Sequence, residues 1–136
     1  MTPFEYLTDC ITTDTGISTI HGVGTFAVRD IKEGEKLFPR WKGDTGLFVL
    51  SNEEFSLLPE HSQRLVLKSY ESERDRYPFV WFRLYKDCYF NLANPWVYVN
   101  TLEDKGNIDH VNRTASRFIK AGEEIIGTYK LSNTIL

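Results

Sequence analysis

Four glycines constrain this chain more than any other feature. Gly16, Gly22, Gly24 and Gly34 cut the stretch from Ile11 to Phe38 into short pieces. Thr, Ile, Val and Phe fill those pieces, and such residues suit a pleated, half-buried surface. Glycine supplies the turns between them. The stretch therefore predicts short strands, Thr25-Phe26-Ala27-Val28 among them. Asp30-Ile31-Lys32-Glu33-Gly34-Glu35 predicts a turn leading into Lys36-Leu37-Phe38.

A helical texture interrupts at Ser51. Ser51-Asn52-Glu53-Glu54 has the form of a capping box, a hydroxyl at the N-cap with Glu three residues on. Pro59 divides the helical stretch, so two short helices are expected between Ser51 and Tyr70. The β texture returns at Phe79. Phe79 to Tyr85 and Cys88-Tyr89-Phe90 predict strands around a Lys86-Asp87 turn, and Trp96 to Val99 predicts another. Thr101 to Asp109 is polar and predicts a loop. Ala115 to Ile119 and Ile125 to Tyr129 flank a second turn, Lys120-Ala121-Gly122-Glu123-Glu124. No internal repeat or low-complexity segment is evident. The pattern is that of an α+β, mainly β domain rather than a βαβ chain, and 136 residues suit a single domain spanning 1–136.

Composition narrows the function classes. A hydrophobic fraction of 41% with 14% aromatics belongs to a folded chain, not a disordered one. The formal charge of −3, with both signs interspersed, lacks the basic patch of a nucleic-acid binder. It is compatible with a basic peptide as partner. No apolar run reaches the length of a membrane span. The N-terminus lacks the basic flank and apolar core of a secretion signal. Cys10 and Cys88 stand outside any C-x-x-C pair, so two buried thiols are expected rather than zinc ligands or a disulfide, in an intracellular setting.

The common catalytic signatures are missing: G-x-S-x-G, the P-loop, H-E-x-x-H and G-x-G-x-x-G. His21, His61 and His110 are not at ligand spacing, and no metal site is expected. Instead, separated pieces recur in one order. His21-Gly22-Val23-Gly24-Thr25-Phe26-Ala27 precedes the Ile31 to Glu35 turn. Tyr98-Val99-Asn100 follows much later. Gly122-Glu123-Glu124-Ile125 comes last, with Tyr129 four residues beyond. From Ile17 to Tyr129 the order resembles the SET-domain family of protein-lysine methyltransferases, and in particular its minimal stand-alone members of viral and microbial type. That family has a G-x-G turn with an F-A strand, an I-x-x-G-E turn, a middle motif near G-N-x-x-R-F-x-N-H-S, and a final G-E-E-[IL] with a tyrosine. The middle motif departs here. Asn94 and Asn100 match, whereas Ala93, Val97, Thr101 and Leu102 replace the family's Gly, Arg, His and Ser, and Tyr98 replaces its Phe.

The resemblance implies several small antiparallel sheets, the helical insertion at 51–70, and a C-terminal segment threaded through a loop of preceding chain. It implies S-adenosylmethionine as cofactor, with S-adenosylhomocysteine as product, and a lysine-bearing protein or peptide as substrate. Gly22, Val23 and Gly24 would let the backbone approach the cofactor, or would only form the turn between two strands. The Asn100 amide oxygen would accept from the cofactor's ammonium, and the Thr101 backbone would meet its adenine. Tyr129 would orient the amine for an in-line displacement. Tyr98 and Tyr89 would line the substrate channel, with Tyr85, Phe90 and Trp96 as further candidates. Glu123 and Glu124 resemble a catalytic pair, but adjacent residues of a strand face opposite ways, so both are read as structural. The short tail from Leu131 to Leu136 or a second subunit would close the channel, and a homodimer is expected. Two alternatives stay open: a SET-like protein-binding module that transfers nothing, and a methyltransferase of a free amino acid or small amine.

Overall fold

The structure is a computed structural model that describes residues 1–69, 79–90, 98–102 and 105–128. Its elements in chain order are α1 (Pro3–Asp9), β1 (Thr13–Ile17), β2 (Val23–Ala27), β3 (Gly46–Ser51), α2 (Asn52–Ser56), α3 (Glu60–Ser69), β4 (Phe79–Leu84), β5 (Asn100–Leu102), β6 (Ile108–Asp109), β7 (Thr114–Ala115) and β8 (Ile126–Thr128). Among the described residues, three of four two-stranded sheets are antiparallel. The class is therefore α+β with small, mostly antiparallel sheets and few helices. The chain divides into two compact units. The first comprises Met1–Ile11 with Pro39–Ala93, and the second Thr12–Phe38 with Asn94–Leu136.

The first unit holds the three helices found among the described residues. Helix α1 starts at Thr2, whose hydroxyl accepts from Glu5 N while the Glu5 carboxylate accepts from Thr2 N. Pro3 occupies the first turn, where its missing N–H costs nothing. The helix buries Tyr6 and Leu7. The Tyr6 hydroxyl donates to Pro39 O at 2.9 Å, and its ring meets Trp41 edge-on at 5.5 Å. Burial pushes the Tyr6 pKa upward, since the phenolate would be desolvated. Helix α2 begins with the expected box: Ser51 Oγ accepts from Glu54 N, and Glu54 accepts from Ser51 N. Strand β4 alternates as a one-sided strand should, burying Val80, Phe82 and Leu84 against β3.

Several expectations fail in this unit. Strand β3 arises where no element was expected. Cys88 to Phe90 does not return as a strand. Asp87 takes a left-handed conformation (φ 60°) and Cys88 N closes the turn onto Tyr85 O. The chain then bonds to Trp41 instead, Asp87 N donating to Trp41 O and Trp41 N to Cys88 O. The cysteines form no disulfide, but neither is buried.

The second unit is built on a repeat that the linear sequence hides. Thr25 to Leu37 and Arg113 to Ile125 interlock about a local two-fold. Ile31 N donates to Ile119 O and Ile119 N to Ile31 O, both at 2.8 Å. Gly34 N donates to Ala115 O, and Gly122 N to Ala27 O. Ala115 N donates to Glu35 O, and Ala27 N to Glu123 O. Leu37 N donates to Arg113 O, and Ile125 N to Thr25 O. The segments match at Ala27/Ala115, Arg29/Arg117, Ile31/Ile119, Lys32/Lys120, Gly34/Gly122 and Glu35/Glu123. The absence of a repeat, expected from the linear chain, is thereby corrected.

The side chains obey the same symmetry. Lys32 N donates to Glu35 Oε1 and Lys120 N to Glu123 Oε1, at 3.0 and 2.9 Å. Arg29 reaches Glu35 Oε2, and Arg117 reaches Glu123 Oε2. Both carboxyls are held below the usual carboxylate range. For Glu35 the main cause is the hydrogen bond from Arg29, and for Glu123 it is the Lys120 N–H; partial burial opposes both. Gly34 and Gly122 take positive φ, 84° and 92°, a region that costs an L residue about 1–2 kcal/mol. Ala27, Ile31 and Leu37 with Ala115, Ile119 and Ile125 make up most of the buried cluster, which Ile108 completes.

Candidate functional site

The candidate site lies in the second unit, where the turn between β1 and β2 meets β5 and the strand after the second repeat. Ser18 N donates to Gly22 O at 2.8 Å and closes the turn. Gly22 and Gly24 are glycines for different reasons. Gly22 has φ 44°, and a Cβ there would meet nothing within 4 Å. Its conformation needs glycine, and its outer face is open. Gly24 has an ordinary φ, but a Cβ there would lie 2.5 Å from Glu124 Oε2 and 3.0 Å from Ser18 Cβ. The space beside Gly24 thus belongs to the Glu124 carboxylate. Val23, between them, opens β2 and is exposed.

Asn100 starts β5 and pairs in parallel with Ile126 of β8. Its Nδ2 donates to His21 O at 3.0 Å, to Val23 O at 3.3 Å and to Glu124 Oε2 at 3.0 Å. All three partners only accept, so they turn the amide nitrogen, not Oδ1, toward themselves. The Glu124 carboxylate also accepts from Ser18 Oγ at 2.8 Å. Ser18 Oγ in turn accepts from Ile20 N and His21 N. One carboxylate therefore braces both the turn and Asn100.

The backbone of this strand is held by Asn107, which is fully buried. Its Nδ2 donates to Glu124 O and its Oδ1 accepts from Ile126 N, both at 2.8 Å. The amide acts as a rung of ladder and leaves no buried polar atom unpaired. A Cβ on Gly106 would lie 3.0 Å from the Ile126 and Gly127 backbone, so that approach requires glycine.

Thr101 pairs with Gly127. Together with Leu102 it forms a strand where a loop was expected, because its partner β8 lies far along the chain. The Thr101 methyl and the His110 ring both cover Gly127: a Cβ added there would meet them at 3.0 and 3.1 Å. His110 Nε2 accepts a long bond from Thr128 N at 3.4 Å.

The expected site residues are brought together in part. Gly22, Val23, Gly24, Asn100 and Thr101 belong to one neighbourhood. Tyr98, two residues before Asn100, is 38% exposed. Tyr89 belongs to the first unit, where its hydroxyl accepts from Arg40 at 2.9 Å and its ring lies 4.9 Å from the guanidinium. Tyr85 is exposed and Phe90 is buried there. Tyr129, Asn94, Trp96 and Val97 lie outside the described residues, as does the segment expected to thread at the C-terminus. Strand β8 ends at Thr128, the residue before Tyr129.

Glu123 and Glu124 precede β8 and part ways: Glu123 closes its own turn, and Glu124 reaches Ser18 and Asn100. Ser18 was not anticipated as a contributor. Its hydroxyl carries no motif, and its acceptor Glu124 lies more than a hundred residues along the chain. Among the described residues no group of three or more His, Cys, Asp or Glu gathers as a metal site, and no helix is long and apolar enough to cross a membrane. Compared with protein-family models and with curated proteins, the chain matches none.

Proposed function

We propose that this chain is an S-adenosylmethionine-dependent protein-lysine N-methyltransferase of the SET type, acting within the cell on a protein or peptide and pairing as a homodimer. The observation that supports the reading most is the meeting of the 21–24 turn, Asn100 and Glu124, drawn from three distant parts of the chain. These are the pieces whose order resembles the family. The residues present fit the cofactor's cationic end. The Asn100 Oδ1 is an acceptor that suits an ammonium, and the open face at Gly22 leaves room for close approach.

When bound, the cofactor supplies an activated methyl group on a sulfonium. The chain's residues have three tasks. Asn100 accepts from the ammonium while the 21–24 turn lets the backbone come close, and the Thr101 backbone meets the adenine. Tyr129, the residue after β8, orients the incoming amine; alignment governs an in-line displacement more than acid or base strength. The lysine must also arrive neutral. From a free pKa near 10.4, that costs about 4.6 kcal/mol at pH 7. A nearby cation and an apolar channel both reduce this cost. No carboxylate is needed as base, which agrees with Glu123 and Glu124 being engaged elsewhere.

Labelled-methyl transfer to a panel of proteins, lysine peptides and small amines tests the reading. Transfer to lysine side chains is expected, and Tyr129→Phe should lower turnover at least tenfold while sparing cofactor affinity. Transfer to small amines alone would move the assignment to a metabolite methyltransferase. Thr101, which offers a methyl where the family has an imidazole, favours a second reading as a binding module. The absence of any melting shift at millimolar cofactor would support it and sink the first. Light scattering tests the dimer, which a monomer at assay concentration would exclude.

A further inference from the structure

We infer that Glu124 is a positioning residue whose carboxylate sets the orientation of the Asn100 amide, an inference that rests on the methyltransferase reading. The symmetry of the second unit carries the argument. Glu35 and Glu123 occupy equivalent places and perform the same turn-closing task. The next position breaks the symmetry. It holds Lys36 in one copy, exposed to solvent, and Glu124 in the other, half-buried. Both residues make equivalent isolated β-bridges, Lys36 with Thr114 and Glu124 with Phe26. The backbone scaffold is therefore satisfied whichever side chain stands there. What Glu124 adds lies outside the scaffold.

Its additions all converge on the candidate site. A carboxylate offers acceptors and no donor. With His21 O and Val23 O it surrounds the Asn100 nitrogen by three acceptors, and the amide oxygen is left facing away. That is the orientation an ammonium requires. Through Ser18 Oγ the same carboxylate braces Ile20 N and His21 N, at the base of the turn that carries Gly22. Gly24 keeps the space clear, since a Cβ there would lie 2.5 Å from Glu124 Oε2. A glutamine at 124 keeps the shape but removes the charge, and its amide nitrogen can turn toward Ser18 and Asn100. Hydrogen bonds to charged groups are among the stronger ones, so the loss should be large at Asn100 and small for the fold.

The test measures S-adenosylhomocysteine affinity by calorimetry on the full chain, alongside melting temperature and the Asn100 side-chain amide resonances without cofactor. The variants are Glu124→Gln, Asn100→Ala, the double variant, and Lys36→Gln as the symmetric control. Glu124→Gln should weaken binding roughly ten- to hundredfold, keep its melting temperature within a few degrees, and shift the Asn100 amide signals. The double variant should bind no more weakly than Asn100→Ala, because Glu124 acts through Asn100. Lys36→Gln should bind like the parent. Unchanged affinity in Glu124→Gln, unmoved Asn100 signals, or losses that simply add would overturn the positioning role alone. A parent chain that binds no cofactor would overturn the methyltransferase reading, and this inference with it.

Discussion

The two interlocked segments of the second unit, Thr25 to Leu37 and Arg113 to Ile125, separate what a scaffold needs from what a site needs. Where they agree, the residues serve the backbone. Ile31 and Ile119 exchange paired hydrogen bonds and are both fully buried; Gly34 and Gly122 turn the chain through positive φ; Glu35 and Glu123 close those turns. Where they differ, the two copies put the position to different uses. Asp30 Oδ1 accepts from Ala121 N of the other copy, whereas its counterpart Phe118 lies half in solvent. Lys36 is exposed, whereas Glu124 reaches Ser18 and Asn100. At the 36/124 pair, the difference within a symmetric frame falls on the candidate site.

That comparison can be broken at its centre. Ile31→Ala and Ile119→Ala each leave a cavity among the same buried neighbours, and each should cost about 2–5 kcal/mol. Urea unfolding checks this, and the symmetry claim requires the two losses to agree within about 1 kcal/mol. A much larger loss at one position would show that the frame is energetically one-sided.

The glycines offer a sharper and smaller test. A Cβ at Gly34 or Gly122 would meet nothing within 4 Å, so substitution by Ala costs only the backbone strain. Each variant should lose about 1–2 kcal/mol, with cofactor affinity unchanged. A neutral result in thermal unfolding at either position would mean that the turn relaxes out of the left-handed region.

The smallest effect is in acid. The Glu35 and Glu123 carboxyls titrate below their ordinary value near 4.3, so their contribution is present above that pH. It is lost as pH falls through the lowered folded values. Asp109, held low first by Asn112 N–H, adds to the same limb. Glu35→Gln with Glu123→Gln should therefore lower stability at pH 7 and flatten its fall as pH drops below the ordinary carboxylate value near 4.3. Chemical unfolding across that range checks it, and an unchanged slope would remove these turns from the acid response.

Local chemistry accounts for what could be read along the chain. Ser51 and Glu54 cap α2 with groups three residues apart, so four residues carry the whole signal. The same signature at Thr2 and Glu5 opens α1, although no helix was expected there. Lys86-Asp87 is a turn as expected, yet the strand after it is absent because Trp41, far away in sequence, takes the Cys88 carbonyl. Thr101 and Leu102 have polar neighbours that suggest a loop, and they became a strand only because β8 lies beside them. The repeat is hard to see in the linear chain because its matches sit mainly at scaffold positions, with the exposed and functional positions free to differ.

Within the candidate site the division is the same. Gly22, Gly24, Asn100 and the Gly122 to Ile125 run were legible as separate pieces, since residue type and order need no coordinates. Why Gly24 must be glycine, why Asn100 faces as it does, and why Glu124 differs from its neighbour were not. The sequence by itself determined the texture of short strands, the capped helix after Ser51, the turn glycines and the adjacency of two carboxylates with different facings. Those depend on backbone preference and on groups within a few residues of each other. The tertiary structure alone decided that the two turns form one symmetric frame and that Ser18, Asn100 and Glu124 share a network. Those depend on hydrogen bonds whose partners are far apart in the chain, and such a bond is specified only once folding has brought both ends together.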